Sequence, residues 1–142
     1  MPNENPSDPV TNPTTANPNP AWMVWTGRVL SVLPALMLLM SAAMKFMQPP
    51  EVVKGFEQFG LPLNLAFGLG VLEVACTLLY LIPQTAILGA ILLTGYLGGA
   101  ICTHLRVGDS FIPPLVIGVV IWLGLFLRDH RLRALIPFRR LK

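Results

Sequence analysis

Residues 85 to 106, TAILGAILLTGYLGGAICTHLR, form an apolar run broken by no charge until the His and Arg that close it. An α-helix rises about 1.5 Å per residue and the hydrocarbon of a bilayer takes roughly 20 residues to cross, so this run is long enough to span. Along it Ala86, Ala90, Thr94, Gly98 and Cys102 recur at every fourth position, with Gly95 and Gly99 beside them. A helix built this way carries one face nearly free of bulk, against which other helices can pack closely or into which a ligand can be admitted.

The rest of the chain agrees with a membrane setting. It is 54% hydrophobic and 12% charged, with a mean hydropathy of +0.64, too little polar surface for a dissolved domain. Its two cysteines, Cys76 and Cys102, lie in separate apolar runs without CxxC spacing, which speaks against a disulfide framework, a zinc site or a dithiol redox pair. The net charge of +3 does not point to nucleic acid, because six of the ten Lys and Arg fall in residues 128–142 beside an apolar span. Membrane lipids, with their anionic headgroups, are the expected partner of that charge.

Residues 1–21 hold six prolines and five asparagines with almost nothing to bury, and are expected to be a disordered tail. The tail carries Glu4 and Asp8 but no cation ahead of the first apolar run, so no signal cleavage is expected. Four spans are predicted, at about 22–44, 63–82, 85–105 and 111–127. The class is therefore all-α, an integral membrane four-helix bundle. In the first span Trp22, Trp25 and Arg28 mark one boundary and Lys45 the other, while Pro34 lies inside and predicts a kink. Between the first two spans, Pro49 and Pro50 can open a helix, Glu51 suits its positive end, and Gly60 and Pro62 stop it. With Val52, Val53, Phe56 and Phe59 on one face it reads as a short interfacial helix, a connector or a lid.

The second span carries Glu73 near its middle, with Gly70, Cys76 and Thr77 on the same face. An ionised carboxylate there costs at least about 2.5 kcal/mol unless it faces the bundle interior, is protonated or finds a partner, so Glu73 is the candidate catalytic or proton-handling residue. Its bland role is a hydrogen bond holding helices together. The turn at Pro83 and Gln84 is short enough to force an antiparallel hairpin. Counting residues from the same surface then puts Glu73 and Tyr96 both roughly 14 to 15 Å deep, where they can meet. The same count sets Cys76 about 20 Å and Cys102 about 5 Å deep, too far apart for a disulfide. His104 and Arg106 close the third span and Asp109 follows, on the side where Lys45 emerges. Lys45, Tyr96, His104 and Arg106 are accordingly the candidate ligand-binding residues, a polar column from the surface down to Glu73. No metal site is predicted. His104 and His130 fall on opposite sides of the membrane, which leaves a bundle haem short of an axial ligand.

The fourth span opens with Pro113 and Pro114 and holds Trp122 in its inner half. Beyond it RDHRLRALIPFRRLK sets Leu132, Leu135 and Ile136 on one face and cations on the other, a basic amphipathic tail suited to an anionic leaflet. With Arg28 this side carries seven Lys or Arg against three, Lys45, Lys54 and Arg106, on the other, which predicts both termini in the cytoplasm.

These motifs carry a resemblance. A first helix ending in MKF, a loop with FGLP, a second helix with GxxE, and above all LTGYLGGAICTHLRVG followed by RDHRLRALIP, resemble the DoxX-like family of small bacterial membrane proteins over about residues 25 to 138. The resemblance implies a four-helix bundle in the inner membrane with Lys45, Glu73 and His104 at the family's polar membrane positions. Family members are linked to quinone-side subunits of sulfur oxidation, to membrane-associated redox complexes and, in distant animal relatives, to receptor assembly. Two kinds of function follow. One is a membrane subunit that binds a quinone or another lipophilic molecule, with no intrinsic cofactor and with a separate membrane or peripheral redox partner. The alternative is a non-catalytic assembly factor or scaffold whose small-residue grooves hold another membrane protein, with a small transporter a weaker third that would require a homo-oligomer.

Overall fold

A computed structural model describes residues 20–129 and 132. The expected disordered tail therefore lies outside the described residues except for Pro20 and Ala21, and the basic tail except for Arg128, Asp129 and Leu132. The described residues form five helices and no strand: α1 (Ala21–Met47), α2 (Pro50–Gln58), α3 (Leu65–Leu81), α4 (Ala86–Arg106) and α5 (Ile112–Arg128). Helices α1 and α4 are long and apolar enough to cross a membrane, while α3 and α5 are apolar but shorter. Helix α1 runs on through Pro34 and ends at Met47, three residues later than expected; the Gln48 N–H still closes on the Met44 carbonyl, its left-handed φ of 47° then turns the chain out of the helix, and Pro49 forbids another turn.

Local chemistry explains the breaks. Pro50 opens α2, Glu51 lies in its first turn, and Gly60 turns the chain away at φ +62°, a conformation that glycine adopts without a Cβ clash. Between α3 and α4 the Thr85 hydroxyl donates to the Leu79 carbonyl at 2.8 Å. Between α4 and α5 Gly108 takes φ +71° and the Asp109 N–H returns to the His104 carbonyl at 3.0 Å.

Helices α1, α3, α4 and α5 close a ring in which α1 packs on α3, α3 on α4, α4 on α5 and α5 on α1. Backbones approach most closely at three glycines. A Cβ at Gly89 would lie 2.2 Å from the Tyr80 nitrogen, one at Gly27 2.7 Å from the Arg128 nitrogen, and one at Gly124 2.8 Å from the Ser31 hydroxyl. All three contacts belong to one end of the ring, the end of the α3–α4 turn. Tyr80 fills the core there, fully buried, its hydroxyl donating to the Ile121 carbonyl at 3.0 Å. Arg128 donates to the Tyr80 carbonyl at 2.8 Å and sits over the ring at 4.9 Å.

The small-residue face of α4 divides between the two roles open to it, close packing at one end and open space at the other. Ala86 and Ala90 are buried, but a Cβ at Gly95, Gly98 or Gly99 would meet nothing within 4 Å. The α3–α4 contact is made instead by Gly89, one position off the four-residue series, because the flank of α4 that meets α3 is set by the hairpin and not by the most regular run of small side chains.

Candidate functional site

Toward the other end the ring opens around a cavity of about 640 Å³, within the size range of small-molecule sites. Each of the four ring helices contributes to its wall, and Phe56, Phe59 and Leu61 from α2 and the turn after it cover one end. Most of the lining is apolar, and the polar groups are few: Ser41, Lys45, Glu73, Tyr96, Thr103 and His104. The space exists because Gly95 and Gly99 leave the α4 side without bulk.

At its centre the Lys45 Nζ contacts the Glu73 Oε2 at 2.9 Å and donates to the Ser41 hydroxyl at 2.6 Å. Glu73 is only 1% exposed. It lies at the midpoint of α3, where its Thr77 neighbour is already engaged, donating to the Glu73 backbone carbonyl at 2.7 Å. Lys45 comes from the last turn of α1 and reaches inward on its four-carbon stem, which is how a residue near one end of a helix meets a carboxylate at the middle of another. The half-buried Lys45 ammonium partly offsets the desolvation of the buried Glu73 carboxylate, and removing it strands that charge. An ammonium has three donors, of which Glu73 and Ser41 take two. The third is available to an oxygen in the cavity.

Tyr96 lies across the cavity, close enough for its hydroxyl to interact with Glu73. His104, two turns further along α4, lines the mouth. Its Nδ1 pairs with the Asp109 Oδ2 at 3.1 Å, and the Phe59 ring stands edge-on to it at 4.7 Å. Arg106 is not among the lining residues. Its guanidinium donates to the Phe59 carbonyl and so ties the end of α2 to the end of α4. The structure thus brings Glu73, Lys45, Tyr96 and His104 to one cavity and sets Arg106 at its cover. Among the described residues no three His, Cys, Asp or Glu side chains converge as metal ligands do. Cys76 is buried and Cys102 exposed, both free.

Sequence reasoning missed Ser41, although its place one helical turn before Lys45 was a usable signal. Gly95 and Gly99, on the stripe read as a packing face or a ligand-admitting groove, line the cavity.

The described residues are all-helical, with two helices long and apolar enough to cross a membrane, as in a small membrane protein. The DoxX-like family matches residues 29–124, most of the chain and all of the cavity-lining residues, and the protein belongs to that family. No curated protein and no solved structure matches it.

Proposed function

We propose that α1, α3, α4 and α5 cross the bacterial inner membrane as a bundle, with α2 in the interface and both termini cytoplasmic, and that the protein is a small membrane subunit holding a quinone or another lipophilic molecule. The observation that carries the reading is the Lys45–Glu73 pair, whose carboxylate is buried at the middle of a helix yet faces a cavity large enough for a ligand. Charges placed only to hold helices together need no such space beside them.

In this reading the ring of a quinol lies against Glu73 and Tyr96. Lys45 donates to one ring oxygen and His104 lies toward the mouth. Oxidation of the quinol releases two protons and two electrons. Glu73 would accept one proton and release it toward the cavity mouth before accepting the second, and the two electrons would pass to the redox centre of a partner protein. Arg106 acts at one remove, holding α2 over the cavity. A second reading, an assembly factor, draws on the apolar groove between α4 and α5, where Thr94, Gly98 and Gly118 leave room for about 400 Å³.

Extraction of the purified protein and its Glu73→Gln variant, followed by mass spectrometry, separates the two. Gln keeps a hydrogen-bonding group and removes the proton site. The proposal expects a quinone-class molecule near one per chain in wild type and its loss from a folded variant. Equal lipophilic content in both, with a membrane protein co-purifying, would favour the assembly factor.

A further inference from the structure

The cavity does more than sit inside the ring; it reaches the outer surface between α3 and α4. Leu65, Leu69 and Leu72 follow one another along the flank of α3 that turns toward α4, and all three line the cavity, yet Leu72 is 48% exposed and Leu65 45%. A residue that both lines a cavity and meets the exterior stands at an opening. The facing rim is Gly95 and Gly99, also exposed and also lining, with open space where their side chains would be. The hairpin is pinned at Gly89, where the α3 and α4 backbones touch, whereas further along α4 a Cβ at Gly95 or Gly99 would meet nothing. Leu72 and Gly95 each lie within a residue of the middle of their helix, so the gap opens at mid-helix depth and not at the mouth that α2 and His104 cover.

We infer that this gap is a lateral portal through which the ligand enters from the lipid, so that the molecule taken is membrane-dissolved, with an oxygen-bearing head at Lys45 and Glu73 and an apolar tail left between Leu72 and Gly99 in the hydrocarbon. The inference rests on the reading of the cavity as a ligand site and adds the route and the shape of the ligand. A water-soluble molecule would have to pass Phe56 and Phe59 instead, beneath an α2 tied down by Arg106. The cavity also approaches the surface between α1 and α5, at Met37 and Pro113; that rim carries side chains, whereas the α4 rim carries none.

The test is thiol labelling inside the cavity, with the protein in lipid nanodiscs. Ala100→Cys is placed in a Cys102→Ser background, with Cys102→Ser alone as the baseline for the buried Cys76. Two reagents are compared, a maleimide with a long alkyl chain that dissolves in lipid and a charged methanethiosulfonate that stays in water. A charged reagent is excluded from hydrocarbon, so the alkyl maleimide should label at least about ten times faster. Leu72→Trp, which fills the portal, should slow that labelling severalfold, and Met37→Trp should not, with size-exclusion profiles unchanged in both. Faster labelling by the charged reagent, labelling by neither, or slowing by Met37→Trp in place of Leu72→Trp would each overturn the portal. The labelling needs no bound ligand, so its failure is distinct from a failure to find a quinone-class molecule in the extract.

Discussion

The two ends of the helix ring use the same residue types to opposite effect. At the turn end, Gly27, Gly89 and Gly124 are spent on backbone contact, a Cβ at each falling within 3.0 Å of a neighbouring atom. The polar side chains there are closed off against backbone: Ser31 donates to Gly27 at 2.8 Å, Thr77 to Glu73 at 2.7 Å and Tyr80 to Ile121 at 3.0 Å. At the other end a Cβ at Gly95 or Gly99 would meet nothing, and the side chains of Lys45, Ser41 and Glu73 bond one another around a space. A glycine in a membrane helix is thus either a contact or a vacancy, and only its partner helix decides which. One end holds the fold together; the other keeps a charged pair facing an opening.

Substitutions can break this contrast, and the largest effect is expected at the charged pair. Lys45→Met strands Glu73 in the interior and should destabilise the protein by about 3–5 kcal/mol, whereas Lys45→Met with Glu73→Leu should recover most of that loss. Thermal midpoints in detergent measure both, and equal losses in the single and double variants would mean that the pair is not coupled. Next comes Gly89→Ala, whose Cβ would press on the Tyr80 backbone and should cost about 3 kcal/mol, seen as a lower midpoint and loss of monodisperse protein. Tyr80→Phe removes one buried hydrogen bond and should cost about 1 kcal/mol by the same assay. Gly95→Ala is the smallest, within about 1 kcal/mol of wild type and on the stabilising side, because alanine favours the helix and meets nothing there. A Gly95→Ala loss as large as that of Gly89→Ala would erase the distinction between the two ends.

Much of this arrangement was legible in the residues. Apolar runs located the helices within a few residues, the proline and glycine pairs located α2, and an acid in the middle of an apolar run singled out Glu73. Rise per residue and a two-residue turn were enough to bring Tyr96 to its depth. Rotation was not legible in the ring, since α1, α3, α4 and α5 are each apolar on most of their circumference and carry only a weak directional signal. For that reason the regular series through Gly98 looked like the packing face while Gly89 made the contact, and Arg106, expected among the ligand-binding groups, turned out to hold α2 by the Phe59 carbonyl. Lys45 was expected near the surface above Glu73, and the length of its side chain carried it into direct contact.

The central claim, that the open end is a ligand cavity and the closed end its scaffold, is tested most directly by filling the cavity without touching its charges. A decyl-tailed benzoquinone would be titrated against wild-type protein and Gly95→Leu in nanodiscs, following bound ligand by native mass spectrometry. The account predicts saturable binding of one molecule per chain in wild type and its loss in Gly95→Leu, with the thermal midpoint preserved. Binding that survives Gly95→Leu unchanged, or no saturable binding to either protein, would contradict it.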